Sequence, residues 1–475
     1  METLQRTANR GSLSTGGYEI DNSCKFERDN SEAILTLNQA AGNQKTWTFS
    51  AWIKRSRLSF DWDNIFGAGT AIIILNAEDD LIVELYNGTT YKLITNRKFR
   101  DTSAWYHLVV MLDTTQGTEA NRVKIYVNGV QETSLSTATY PPQDATFPLG
   151  GQGSSTNWLQ LGRFYSGARH FSGYMAEVHY LNGTAKQASD FGEYDADSGV
   201  WIPKEYTDGG YGTQGFYYKF DDSSNMGKDS SGEGHDANNL ANITAANQAT
   251  DTPTNNFCTF NALIPGAGTI SEGATKFWNG VGNGWKAAVA SMGAGTSGKW
   301  YAEFNFPTTA ANNVLGQCPI DDPDLNRGEA GFAYYGSDTS LDESTGVYSN
   351  DGDRYVGGGA ADYGTAYGTS DIMSIAIDMD NGKFYVAKNG TYFNSGDPTS
   401  GATGTGALDV RGATKAQSIG PAQYTTEAYM LCNYGGFTTI SISSAASDEN
   451  GYGTFEYAPP SGYYALCTKN LAEYG

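Results

Sequence analysis

Apolar and polar residues alternate with a period of two along much of this chain. In TWTFSAWIK (46–54), Trp47, Phe49, Ala51 and Ile53 fall on one face, the pattern of a strand with one side in a core. Similar short runs recur every 8–14 residues from 21 to 200 and again from about 270 to 445, separated by Gly- and Asn-rich turns. Residues 105–130 and 371–393 share one plan. Each has an apolar strand ending in Asp113 or Asp378, a polar turn, a second strand, and then Asn128-Gly129 or Asn389-Gly390. Asn-Gly accepts the positive φ angles of a tight type I′ turn, so both segments predict three-strand meanders. They lie far enough apart to belong to separate β-sandwiches. No window shows a clear 3.6-residue apolar period, so little helix is expected.

The predicted fold class is therefore all-β, with two sandwich domains in tandem. The expected order is an arm over 1–20, a first sandwich over 21–200, an irregular connector over 201–268, a second sandwich over 269–446, and an extended tail over 447–475. The connector is expected to wrap rather than hang free, because Trp201, Phe216, Tyr218 and Phe220 need burial. Pro459-Pro460 bars the tail from a central strand.

The 475 residues carry a formal net charge of −22, and both halves are acidic, which argues against binding nucleic acid through its phosphates. Five scattered cysteines without a CxxC pair predict neither a zinc nor a redox site. No run of 18 apolar residues predicts membrane insertion, and the first 20 residues lack the apolar segment of a secretory signal. The chain is therefore expected to leave its cell by lysis, as part of a particle, or not at all.

Four blocks in order, TWTFSAWIK, AWYHLVV (104–110), RVKIYVNG (122–129) and LGRF followed by FSGYMAEVHYLNG, make residues 47–180 resemble the laminin-G-like and pentraxin-like concanavalin lectin sandwiches. KDSSGEGHDA (228–237) resembles a loop that usually opens such domains, although here it follows one. Residues 297–440 resemble a SPRY-type sandwich through SGKWYAEF, AGFAYY (330–335), IMSIAIDMDNGKFYVAKNG and CNYGG. The two in this order, closed by YAPPSGYYALC (457–467), resemble virion surface proteins of tailed bacteriophages. That resemblance implies a place on the virion surface, as fibre or capsid decoration. It implies other virion proteins and a second or third copy of the chain (dimer or trimer) as partners, and host glycans as ligand.

The concanavalin fold also carries glucanases. Their Glu-x-Asp-x-x-Glu pattern begins at Glu19-Ile20-Asp21, but Cys24 stands where the second glutamate belongs, so the acid/base pair is missing and no enzyme is expected. GAGTSGK (293–299) matches part of a phosphate-binding loop, yet Trp300 and a strand follow it. Loop aromatics would stack on sugars: Trp62, Trp158, Tyr165, Tyr355 and Tyr363 are the candidates, with packing on neighbouring loops or subunits as the competing use. Calcium is the one cofactor considered. Asp229 and Asp236 are its candidate ligands, ahead of Asp61-Trp62-Asp63-Asn64 and the turn Asp378–Gly382. The functional expectation is a non-catalytic virion protein that binds glycans. A purely architectural virion protein is the alternative, and a polysaccharide depolymerase the third reading.

Overall fold

The alternation in TWTFSAWIKR becomes the central strand Thr46–Arg55 of the first sandwich in a computed structural model. The structure describes residues 17–28, 34–38, 40–58, 62–149, 158–164, 169–263, 268–280, 284–309, 311–321, 343–357, 359–424 and 427–475. Residues 1–16, which hold most of the expected arm, and AGFAYY (330–335) lie outside them. Chain contacts divide the protein after Thr254, with Asn255–Gly475 in the second unit.

One sheet of the first sandwich runs, in spatial order, Val130–Gln131, Val123–Val127, Tyr106–Asp113, Thr46–Arg55, Gly173–Asn182, Ser23–Phe26 and Gln248–Ala249, with Phe216–Tyr218 also paired to Gly173–Asn182. The facing sheet runs Leu135–Ala138, Thr90–Lys98, Asp80–Tyr86, Ala71–Leu75, Asp63–Ala68, Leu159–Leu161, Ile34–Leu37 and Asn239–Ala241. Trp47, Phe49, Ala51 and Ile53 point between the sheets and meet Phe66, Ile73 and Val83 from the other layer. Sandwich cores are built this way, from the alternate residues of two facing sheets.

The second sandwich repeats the plan. Its larger sheet runs Thr391–Tyr392, Lys383–Lys388, Met373–Asp378, Lys299–Asn305, Tyr429–Asn433, Lys276–Trp278 and Thr269–Ser271. Its smaller sheet runs Gly359–Ala361, Arg354–Val356, Thr345–Tyr348, Asn313–Pro319, Gln417–Gln423 and Lys286–Ala287. Strand for strand, six positions of each sheet correspond between the two sandwiches in both space and chain order. One outermost strand is the exception: Gln248–Ala249, beyond Ser23–Phe26, comes last in chain order in the first sandwich, and Thr269–Ser271, beyond Lys276–Trp278, comes first in the second. An edge position can be filled from either end of a chain without disturbing the strands inside it.

The two meanders form as expected, with one shared device. Asn128 donates its backbone N–H to the carbonyl of His107 at 2.9 Å and accepts the His107 N–H on its side chain at 2.7 Å. Asn389 does the same to Ile372, both at 2.9 Å. The turn residues have φ of 47° and 81° in the first pair and 49° and 77° in the second, as a type I′ turn requires.

The stretch expected as a connector contributes Phe216–Tyr218, Asn239–Ala241 and Gln248–Ala249 to the first sandwich. The first falls in FYYKF (216–220), a segment that reads as a possible strand; the other two are two or three residues long and pair with strands far back in the chain, so no local alternation marks them. The tail is also not simply extended. Tyr464–Ala465 pairs parallel to Lys299–Asn305, and Thr468–Tyr474 is an α-helix. The tail is anchored by the buried Glu303, which accepts the backbone N–H groups of Glu456 and Tyr457 at 2.9 and 2.8 Å. All five cysteines are buried thiols.

Candidate functional site

In the first sandwich, the outer face of the sheet that holds Asp63–Ala68 and Ala71–Leu75 carries an unusual arrangement. Ile72, Ile74 and Ile82 point outward there and are covered by Trp62 and Phe164. The guanidinium of Arg169 lies 4.8 Å from the centre of the Trp62 ring and 4.8 Å from that of Phe164. All three side chains are half-buried. Arg169 has φ of 58°, a left-handed conformation costly for a residue with a Cβ. Its carbonyl is held by the Asn64 N–H at 2.9 Å. Backbone strain of this kind gathers at ligand sites. A guanidinium held by two rings keeps its N–H fork in one plane with less entropy left to lose, and the ring edges remain beside it. Such a group can donate to paired hydroxyls or to a carboxylate while a ring contacts C–H surface.

Of the residues expected to touch sugar, Trp62 is in this cluster. Tyr165 lies outside the described residues, although its neighbour Phe164 is in the cluster. Trp158 precedes the strand Leu159–Leu161, whose far end leads to Phe164, so Trp62 and Trp158 stand at opposite ends of that strand. Tyr355 belongs to the second sandwich, edge-on to Tyr348 at 5.7 Å. Tyr363 is buried in the core of the second sandwich, edge-on to Phe393, which removes it from any exposed surface. Arg169 was not among the expected residues. Its only signal is a second arginine, after Arg163, among the aromatics of LGRFYSGARHF, and a sequence does not reveal the φ that aims it.

The carboxylates proposed for calcium are occupied by their own loop. Asp229 accepts the N–H of Tyr217 and of Ser231 on one oxygen, both at 2.9 Å, and the Ser231 hydroxyl and His235 N–H on the other, both at 2.8 Å. Asp236 accepts from the Asp229 N–H at 2.7 Å and from Asn225 at 3.1 Å. These N–H and O–H dipoles present positive ends where calcium would sit, so this donor set does not fit the ion. Asp63 is paired with Arg55 at 3.1 Å, and Asp61 lies outside the described residues. Asp378 closes its hairpin by accepting from Asn381 and pairs with Lys299 at 2.9 Å. Among the described residues, no three His, Cys, Asp or Glu side chains come together as a metal site.

Ser50 and His107 lie 2.9 Å apart through Nε2 and could be taken for a nucleophile and its base. The other ring nitrogen rules this out. The indole N–H of Trp201, which can only donate, meets Nδ1 of His107 at 3.0 Å. The neutral ring must therefore carry its proton on Nε2 and donate to Ser50. Burial, with a smaller push from His179, lowers the His107 pKa to about 3. Glu177, at a bulge in Gly173–Asn182 with φ of 49°, is likewise engaged. It accepts the hydroxyls of Tyr18 at 2.9 Å and Tyr217 at 2.5 Å. Burial, reinforced by the Glu177 charge, pushes both phenols up, so they stay neutral donors.

Residues 29–189 match the Laminin_G_3 family model, described as the concanavalin A-like lectin/glucanases superfamily. No curated protein matches the chain. Among solved structures, a human SPRY domain is 12% identical, with TM-score 0.25, over 33% of this chain and 90% of that one. A candidate carbohydrate-binding protein from Bacteroides ovatus is 22% identical, with TM-score 0.26, over 36% and 45%. A heptameric SAP-like pentraxin from Limulus polyphemus is 14% identical, with TM-score 0.24, over 36% and 80%.

Proposed function

We propose that this chain is a non-catalytic glycan-binding protein, displayed on the surface of a tailed-phage particle, whose first sandwich holds host surface glycans at Arg169. The observation that carries this reading is the Arg169 guanidinium held between Trp62 and Phe164 on a sandwich that matches a lectin superfamily model. The virion setting is supported by the sequence resemblance alone. Many copies on one particle raise the effective concentration of each site, so weak single-site binding suffices for attachment. A glycan array of the purified protein tests the proposal: Arg169→Ala and Trp62→Ala should both abolish recognition of whichever glycans the native chain selects.

An architectural role is the second reading. It is favoured by Val130 and Tyr194, each 53% exposed, which place apolar surface where another virion protein or another copy could pack. Silence across a broad array, together with self-association lost on Val130→Ser, would favour it.

A further inference from the structure

The corresponding outer face in the second sandwich is built differently. Leu315, Val347 and Ile419 point into the core, so Val314, Tyr348 and Ala422 point outward and form a separate cluster with Trp285. Register puts Val314 beside both Tyr348 and Ala422, and Tyr355 beside Gly346. Val314 and Ala422 are fully buried, so the Trp285 and Tyr348 rings, 6.2 Å apart, lean over them from strands on either side. Tyr424 continues the row at 5.5 Å from Trp285, and Tyr355 at 5.7 Å from Tyr348. The result is a strip of four rings lying across the sheet. Three are half-buried, and Tyr424 is 39% exposed.

Polar chemistry sits at one margin. Tyr348 donates its hydroxyl to Asn312 at 2.5 Å and accepts from Asn350 at 2.9 Å, while the Asn312 N–H donates to Asn350 at 3.0 Å. These bonds fix the Tyr348 ring in place. No charged side chain points outward from the five strands between Lys286–Ala287 and Arg354–Val356 among the described residues. In a chain of net charge −22 an uncharged face of this kind is selective. Its strand positions offer no charge to an ionic ligand, and the nearest carboxylates in the chain, Asp351 and Asp353, belong to the turn between Thr345–Tyr348 and Arg354–Val356. Flat rings with neutral amides at the margin suit the C–H faces and hydroxyls of uncharged sugars.

We propose that the Tyr424–Trp285–Tyr348–Tyr355 strip is a second carbohydrate site, specific for neutral oligosaccharide chains. It is independent of the Arg169 site, so either can fail alone.

The test uses the full chain in native affinity electrophoresis through gels containing neutral polysaccharides (β-1,3-glucan, β-1,4-glucan, xylan and mannan). At least one should retard the protein. Tyr424→Ser, at an exposed position, should weaken retardation about tenfold, and Trp285→Phe should weaken it less. Both variants should melt at the native temperature, and Arg169→Ala should leave retardation unchanged. No retardation by any of the four polymers overturns the proposal. So does retardation that Arg169→Ala removes and Tyr424→Ser does not, which would credit the first site instead. Self-association abolished by Tyr424→Ser, without sugar binding, would assign the strip to a second copy and overturn it too.

Discussion

Trp201 donates its indole N–H to Nδ1 of His107 at 3.0 Å and so decides the tautomer of a fully buried imidazole. The ring sits among Trp52, Phe191 and Trp201, and burial, with a smaller push from His179, disfavours a positive charge on it.

Acid should therefore weaken the first sandwich. The unfolded chain binds this proton near an ordinary histidine pKa of about 6.5, and the folded chain only near 3. The stability held by neutral His107 is thus complete above about pH 6.5 and is lost as pH falls from there towards 3. The loss at the acid limit is of the order of 4–5 kcal/mol, at about 1.4 kcal/mol per unit. Thermal melts between pH 7.5 and 4 should show a falling transition that is shallower in His107→Gln.

The two turn glycines at Asn-Gly separate two costs of a side chain. Gly88, with φ of 99°, faces open space, whereas a Cβ on Gly129, with φ of 81°, would stand 2.3 Å from the Trp201 ring. Gly88→Ala should cost about 1–2 kcal/mol, from backbone conformation alone. Gly129→Ala should cost a further 1–3 kcal/mol from the clash, read as a lower denaturation midpoint. In the second sandwich Tyr457 packs against Gly390 in the same way, and Gly390→Ala should behave like Gly129→Ala.

Arg55 is fully buried and bridges Asp79 at 2.8 Å and Asp63 at 3.1 Å. Removing one partner strands a buried charge. Arg55→Met and Asp79→Asn should each destabilise by about 3–5 kcal/mol, while the double variant should cost less than the two added together. Urea denaturation of the three proteins checks this.

The Asp229 loop closes on backbone N–H groups, so chelation should not matter. EDTA or millimolar calcium should leave the melting temperature unchanged, whereas Asp229→Ala should lower it. A rise in melting temperature with calcium would contradict this account of the loop.

Glu303 offers a local test in the second unit. Losing its carboxylate would leave the N–H groups of Glu456 and Tyr457 without their acceptor. Glu303→Ala should expose the 443–460 segment to limited proteolysis before the rest of the unit is cut.

How much could be read from the sequence follows from where each signal resides. The Asn128-Gly129 and Asn389-Gly390 turns, and the inward set Trp47, Phe49, Ala51 and Ile53, are local and were legible. The strand in FYYKF (216–220) was legible as well, but Asn239–Ala241 was not, because its pairing partners lie at Ile34–Thr36. Tyr363 sits in a Gly-rich stretch that reads as loop, yet it is buried, since loop composition does not show which rings fold inward. The Arg169 cluster depends on contacts of Trp62 with Phe164 and Arg169 from a second loop about 100 residues on in the chain, and the strip on the second sandwich depends on strand parity across five strands. Composition carries neither.

The central claim is that the first sandwich holds glycan at Arg169, and isothermal titration of the native chain and Arg169→Ala with an array-selected glycan tests it most directly. The account predicts saturable heat from the native protein and at least a tenfold weaker response from a variant that melts normally. Equal affinity in the two proteins would contradict it.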